Sequence, residues 1–137
     1  MENLSKLAYK LRKDTLDIIM AGKGGHIGGD MSVMEILTAL YFQVMNVDPV
    51  NFSKPEHDRF ILSKGHAMEA YYAVLAEKGF LDFGDIKEKY GKALSPYIGH
   101  PNNKLPGIES HAVRADSARP ETISHVKSKG QNPVMLF

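Results

Sequence analysis

Residues 58–80 read DRFILSKGHAMEAYYAVLAEKGF, and the order of residue types in this stretch decides the fold class. Arg59 to Ser63 form a short apolar run bounded by polar residues, the pattern of a buried strand. Lys64 to Ala67 (KGHA) then turn the chain. Met68 to about Lys78 hold strong helix formers, with Gly79 as the C-terminal stop. A strand running through a tight turn into a helix is the unit of α/β architecture. The first amides of such a helix lack intrahelical partners, and the helix dipole is positive there. The place therefore suits a phosphate, with Gly65 admitting a close approach and His66 donating a hydrogen bond. The same stretch also suits a plain corner in which glycine only makes the turn.

Upstream, residues 21–32 read AGKGGHIGGDMS, with five glycines in eight positions around His26. Leu4, Leu7, Ala8, Leu11, Thr15, Ile18 and Ile19 fall three or four apart, which predicts an amphipathic helix ending at Gly22 to Gly25. A second helix is expected after the glycines. Ser32 and Glu35 would form its S-x-x-E capping box, and Val33, Ile36, Leu37 and Leu40 its apolar side. The glycine cluster is not a Walker loop, because G-x-x-x-x-G-K-[ST] is absent. A flexible linker would account for the glycines but has no need of histidine. Imidazole titrates near neutrality and suits proton transfer.

Downstream, NVDPVNFSKPEHD (46–58) and SPYIGHPNNKLPG (95–107) are rich in proline and asparagine and read as loops. A weaker helix is expected over Ile86 to Leu94. His100 sits in a third glycine context, GHP. No histidine pair has the three-to-five-residue spacing of short zinc motifs, so hydrogen bonding to an oxygen-rich ligand is the expected use of these rings. Beyond Glu109 large apolar residues are few and neither period is sustained.

The chain has 137 residues, 43% apolar and 24% charged, with a formal charge of +1 and no cysteine. Those values suit one globular domain, and they exclude thiolate chemistry and any strong field for nucleic acid or an anionic membrane. MENLSKLAYK is a poor signal peptide, and no apolar run approaches the roughly 20 residues of a membrane helix. A cytoplasmic location is the resulting expectation.

In order and spacing, GHIG (25–28), DRFILSKGHA (58–67) and GHPNNKLPGIE (99–109) resemble the amino-terminal part of the transketolases. PNNKLPGIE is most similar to the split forms, in which two chains divide the enzyme. The resemblance implies an α/β fold: part of the thiamine diphosphate-binding fold, a fragment of a doubly wound parallel sheet, helix-rich in this chain. It implies thiamine diphosphate with a divalent metal, magnesium or calcium, as cofactors, and sugar phosphates as substrates of ketol transfer. It places His26 beside the reacting donor, His100 on the donor sugar, and His66 with Gly65 at the cofactor diphosphate. The glycines would then make room for sugar and cofactor.

The likeness covers residues 1–109. Where the family continues with a glycine-rich TG-LG-G segment and a GDG metal motif, residues 110–137 contain neither. A shifted reading frame of a transketolase gene is one account of that break. The expectation is a divergent, poorly ordered tail. A lone strand without a sheet partner, poor solubility or dependence on a second chain, and no turnover by this chain alone are expected with it. No metal ligand is assigned. A non-catalytic helical binding module is the alternative from a different class.

Overall fold

A computed structural model of the chain describes residues 3–109 in full and the backbone of 133–136. Helix α1 (Leu4–Gly22) opens with the Asn3 side chain accepting from the amides of Ser5 and Lys6. It buries Leu7, Ala8, Leu11, Thr15, Ile18 and Ile19, so the expected face is the real one apart from the half-buried Leu4. Lys23 ends the helix in the left-handed conformation (φ 58°), and the Gly24 amide donates back to the Ile19 carbonyl. Tyr9, Leu16 and Met20 form a second, exposed stripe on α1.

Helix α2 (Ile27–Ala39) begins earlier than the sequence predicts. His26 is its N-cap residue and makes no side-chain capping bond. Ser32 lies inside the helix, with its hydroxyl donating to the Gly29 carbonyl at 3.0 Å, and Glu35 pairs with Arg12 of α1. The expected capping box is therefore not formed. Gly28 and Gly29 enter the first turn instead, which Asp30 ties to the next helix by accepting from Ala70 N. A π-helical turn (Leu40–Val44) closes α2 and leads into the loop.

Strand β1 (Arg59–Leu62) alternates half-buried and buried residues. Helix α3 (Met68–Glu77) is buried on nearly every side, from Met68 through Leu75. It is the central element, packing on α1, α2 and α4. Gly79 stops it at φ +91°, as expected. Helix α4 (Phe83–Lys89) starts before and ends before the predicted Ile86–Leu94, because Asp82 caps it by accepting from the Asp85 amide.

The largest departure concerns the sheet. β1 has a partner: strand β2 (Pro133–Leu136) runs parallel to it, Arg59 opposite Pro133 and Leu62 opposite Leu136. The expectation of an unpaired strand is corrected. Backbone pairing with β2 gives β1 one hydrogen-bonded edge irrespective of the family motifs that the intervening segment lacks. The expected disorder of the tail falls on residues 110–132 and 137, which lie outside the described residues.

Tyrosine hydroxyls stitch the core. Tyr41 and Tyr71 meet at 2.7 Å, and Tyr71 also donates to the Gly107 carbonyl. Tyr72 donates to the Ile98 carbonyl, and Tyr97 to Asp85. Each buried phenol thus has a partner, as burial of a polar group requires. Among the described residues no helix is long and apolar enough to cross a membrane.

Candidate functional site

Two helix beginnings meet at the candidate site. His26 stands at the start of α2, and His66 precedes Ala67, the N-cap residue of α3. Their rings approach edge-on, centroids 5.6 Å apart, and both are exposed. Gly65 is buried beneath His66. A Cβ on Gly29 would lie 3.0 Å from the His66 ring, so the small residue lets the two turns close up. Lys64 spans the same junction, donating from Nζ to Ser32 Oγ at 2.6 Å and to the Gly29 carbonyl at 3.2 Å.

The glycines around His26 divide by role. Gly22 and Gly25 are structural. A Cβ on Gly22 would sit 2.4 Å from the Tyr90 ring, and one on Gly25 would sit 2.6 Å from Ile19 Cγ1 and 2.7 Å from Glu69 Oε1. Among the described residues Gly24 and Gly28 have nothing within 4 Å of that position. Only these two fit the expectation that glycine clears room for a ligand.

Beneath the imidazoles lie two acids that no sequence motif singled out. Asp30 and Glu69 are both 0% exposed. Asp30 Oδ1 accepts the Ala70 amide at 2.9 Å, and Glu69 Oε1 accepts the Tyr90 hydroxyl. Burial pushes the Asp30 carboxyl from 3.8 up to about 7. The Ala70 amide opposes the shift, the Glu69 charge adds to it, and Lys64 opposes it. Burial and the bond to Glu69 likewise raise the Tyr90 phenol. The signal in the sequence was available: acids at positions where a helix turns inward. The Ala70 amide, one of those expected to be free for a phosphate, is already given to Asp30.

His100 is itself exposed, on the loop at 98–101, which is anchored by the Tyr72 bond to Ile98 and by Asn102 Nδ2 donating to the Pro96 carbonyl. Among the described residues it has no ring contact or hydrogen bond to His26 or His66. His57 serves the scaffold. Its ring nitrogens face the Lys54 carbonyl and Glu109 Oε1, both at 2.5 Å, while Arg59 holds the other Glu109 oxygen at 2.6 Å. A groove of about 420 Å³ between α1 and α2, lined by Leu4, Ala8, Tyr9, Arg12, Glu35 and Thr38 among others, contains no histidine.

The family model described as transketolase, thiamine diphosphate binding domain, matches residues 4–113. The chain belongs to the transketolase family. It is 43% identical over 111 residues to an apulose-4-phosphate transketolase subunit of Phocaeicola vulgatus, covering 80% of this chain and 38% of that protein. The protein of the same name from Actinobacillus succinogenes is 47% identical over 111 residues, 79% of this chain and 40% of that one. The transketolase of Leishmania mexicana superposes with a TM-score of 0.72 at 30% identity, over 81% of this chain and 17% of that chain. The α/β reading, a helix-rich part of the thiamine diphosphate-binding fold, therefore stands. The chain spans about two-fifths of the length of these curated transketolase relatives.

Measured against the cofactor, the transketolase residues present fit in part. Exposed imidazoles and open glycine backbone suit the oxygens of a diphosphate. Among the described residues no three His, Asp or Glu side chains converge as metal ligands.

Proposed function

We propose that this chain supplies one wall of a transketolase site, the wall that grips a sugar phosphate and the phosphate end of thiamine diphosphate. The supporting observation is the His26–His66 pair at 5.6 Å beside the open backbone of Gly24 and Gly28. Thiamine diphosphate, when bound, supplies the nucleophile for the donor carbonyl and the sink for its electron pair. His66 and Gly65 lie at the diphosphate. His26 stands beside the reacting donor and assists proton transfer, and His100 hydrogen-bonds the donor sugar. The reaction class is transfer of a two-carbon ketol unit between sugar phosphates, with a divalent metal, magnesium or calcium, as the companion cation.

The same reading makes the chain incomplete alone. A helix N-terminus contributes up to about 2 kcal/mol to anion binding and a charge-assisted hydrogen bond roughly 1.5–3. Their sum barely exceeds the about 4 kcal/mol of millimolar affinity. A second chain completing the site, in the manner of a split enzyme, is favoured by relatives that are themselves named as transketolase subunits.

Calorimetric titration with thiamine diphosphate, with and without magnesium, tests the proposal. Weak binding by the chain alone, strengthened by the complementary chain of a split transketolase and lowered at least tenfold by His66→Ala, is the expected result. Ketol transfer by the isolated chain would overturn its incompleteness. Absence of cofactor binding even with the second chain overturns the site and leaves a non-catalytic helical module.

A further inference from the structure

Asp30 lies in the first turn of α2, just past His26, and Glu69 in the first turn of α3, just past His66. Both side chains are fully buried. Each has one oxygen satisfied, by the Ala70 amide and by the Tyr90 hydroxyl. The other two oxygens, Asp30 Oδ2 and Glu69 Oε2, have no hydrogen-bond partner among the described residues. Asp30 Oδ1 takes the amide of Ala70, the residue next to Glu69, and the Glu69 charge helps raise the Asp30 carboxyl, so the two acids lie side by side in the core. Two bare carboxylates cannot share a dry site: their charges repel and both lack hydration. One proton between them satisfies both orphaned oxygens and removes one charge.

We propose that Asp30 and Glu69 hold a single shared proton, and that this acid–carboxylate pair is a positioning device that sets His26 against His66. The surroundings agree. Asp30 faces Glu69 on α3, Lys64 at the start of the turn before α3, and Tyr90 at the end of α4. Tyr72 of α3 faces Glu69, and the His66 ring lies against Gly29. Arg12 of α1 is engaged elsewhere, by Glu35 and the Met31 carbonyl. Lys64 Nζ is bonded to Ser32 and Gly29, so among the described residues neither carboxylate has a bonded cation.

The sign of the pH dependence follows. Asp30 has its ordinary value of 3.8 when unfolded and about 7 when folded. The folded chain therefore retains a proton that the unfolded chain loses. The contribution to stability is complete below the unfolded value and disappears as pH rises through about 7, the folded-to-unfolded ratio falling by up to about tenfold per pH unit.

Infrared spectroscopy of the folded full chain at about pH 6 tests this, because only a protonated carboxyl gives the high-frequency carbonyl band at a pH where ordinary acids are ionised. The expected result is a band that fades as pH passes about 7 and is absent from Asp30→Asn and from Glu69→Gln. In each variant an amide N–H takes the place of the proton, and the variant loses this part of the pH dependence of unfolding. No band in the wild type, or a band unchanged in both variants, overturns the proposal. Neither outcome depends on the reaction, so failure here is distinguishable from failure of the transketolase reading.

Discussion

Gly25 and Glu69 occupy one space: a Cβ on the glycine would stand 2.7 Å from the carboxyl oxygen Oε1. The turn that carries His26 can lie on the buried acid only because residue 25 has no side chain.

Gly25→Ala should therefore destabilise the chain by about 1–3 kcal/mol, the usual cost of overpacking. The added methyl would also meet Ile19 at 2.6 Å, and Ile19 is buried. Gly24→Ala, with nothing within 4 Å, should fall within about 0.5 kcal/mol of wild type. Urea unfolding of both variants checks the contrast; equal effects would show that the turn is not packed on Glu69.

Gly28→Ala separates stability from binding. Residue 28 lies in the first turn of α2, and among the described residues nothing stands within 4 Å of its Cβ position. Alanine there should raise stability by up to about 1 kcal/mol. If that space admits ligand, the same variant should weaken thiamine diphosphate binding in the presence of the second chain. A stabilised variant with unchanged affinity would remove Gly28 from the site.

Glu109 closes the described region on β1. It joins His57 and Arg59, and its side chain is only 12% exposed. Glu109→Ala leaves two partly buried donors without an acceptor and should cost about 2–3 kcal/mol, whereas Glu109→Gln retains a side-chain oxygen and should cost less. Chemical denaturation of the two variants gives the comparison.

At alkaline pH the tyrosine core sets the limit. Burial raises the Tyr41 and Tyr71 phenols above the ordinary 10, and burial followed by the bond to Asp85 brings Tyr97 to about 12. Raised phenols contribute stability below their unfolded value and lose it as pH climbs through the folded one. Unfolding free energy should be flat near pH 9 and fall above about pH 10. Tyr41→Phe should reduce that fall while leaving Tyr71 its bond to Gly107. Circular dichroism across the alkaline range reads the difference.

Local chemistry was legible along the chain. The period of α1, the strand at 59–62, the helix after KGHA and the stop at Gly79 follow from residue types a few positions apart, because helix and strand periodicities are short-range. The motifs around His26, His66 and His100 carried the family for the same reason: each is a short run of particular residues in a particular order. Ser32 and Glu35 misled because a capping box competes with tertiary bonds, and Arg12 together with the Asp30–Ala70 bond won.

Amino-acid order by itself gave α1, the strand at 59–62, the helix after KGHA and the family, but not where α2 and α4 begin. Contact between distant segments decided the rest: the pairing of β1 with β2, the edge-on meeting of His26 and His66, and the division of the glycines into packed and open ones. It also decided the fate of Asp30 and Glu69, which read as ordinary helix acids until burial takes away their water. Whether a carboxyl keeps its charge depends on what surrounds it in space, and that environment is made only when α2, α3 and the end of α4 come together.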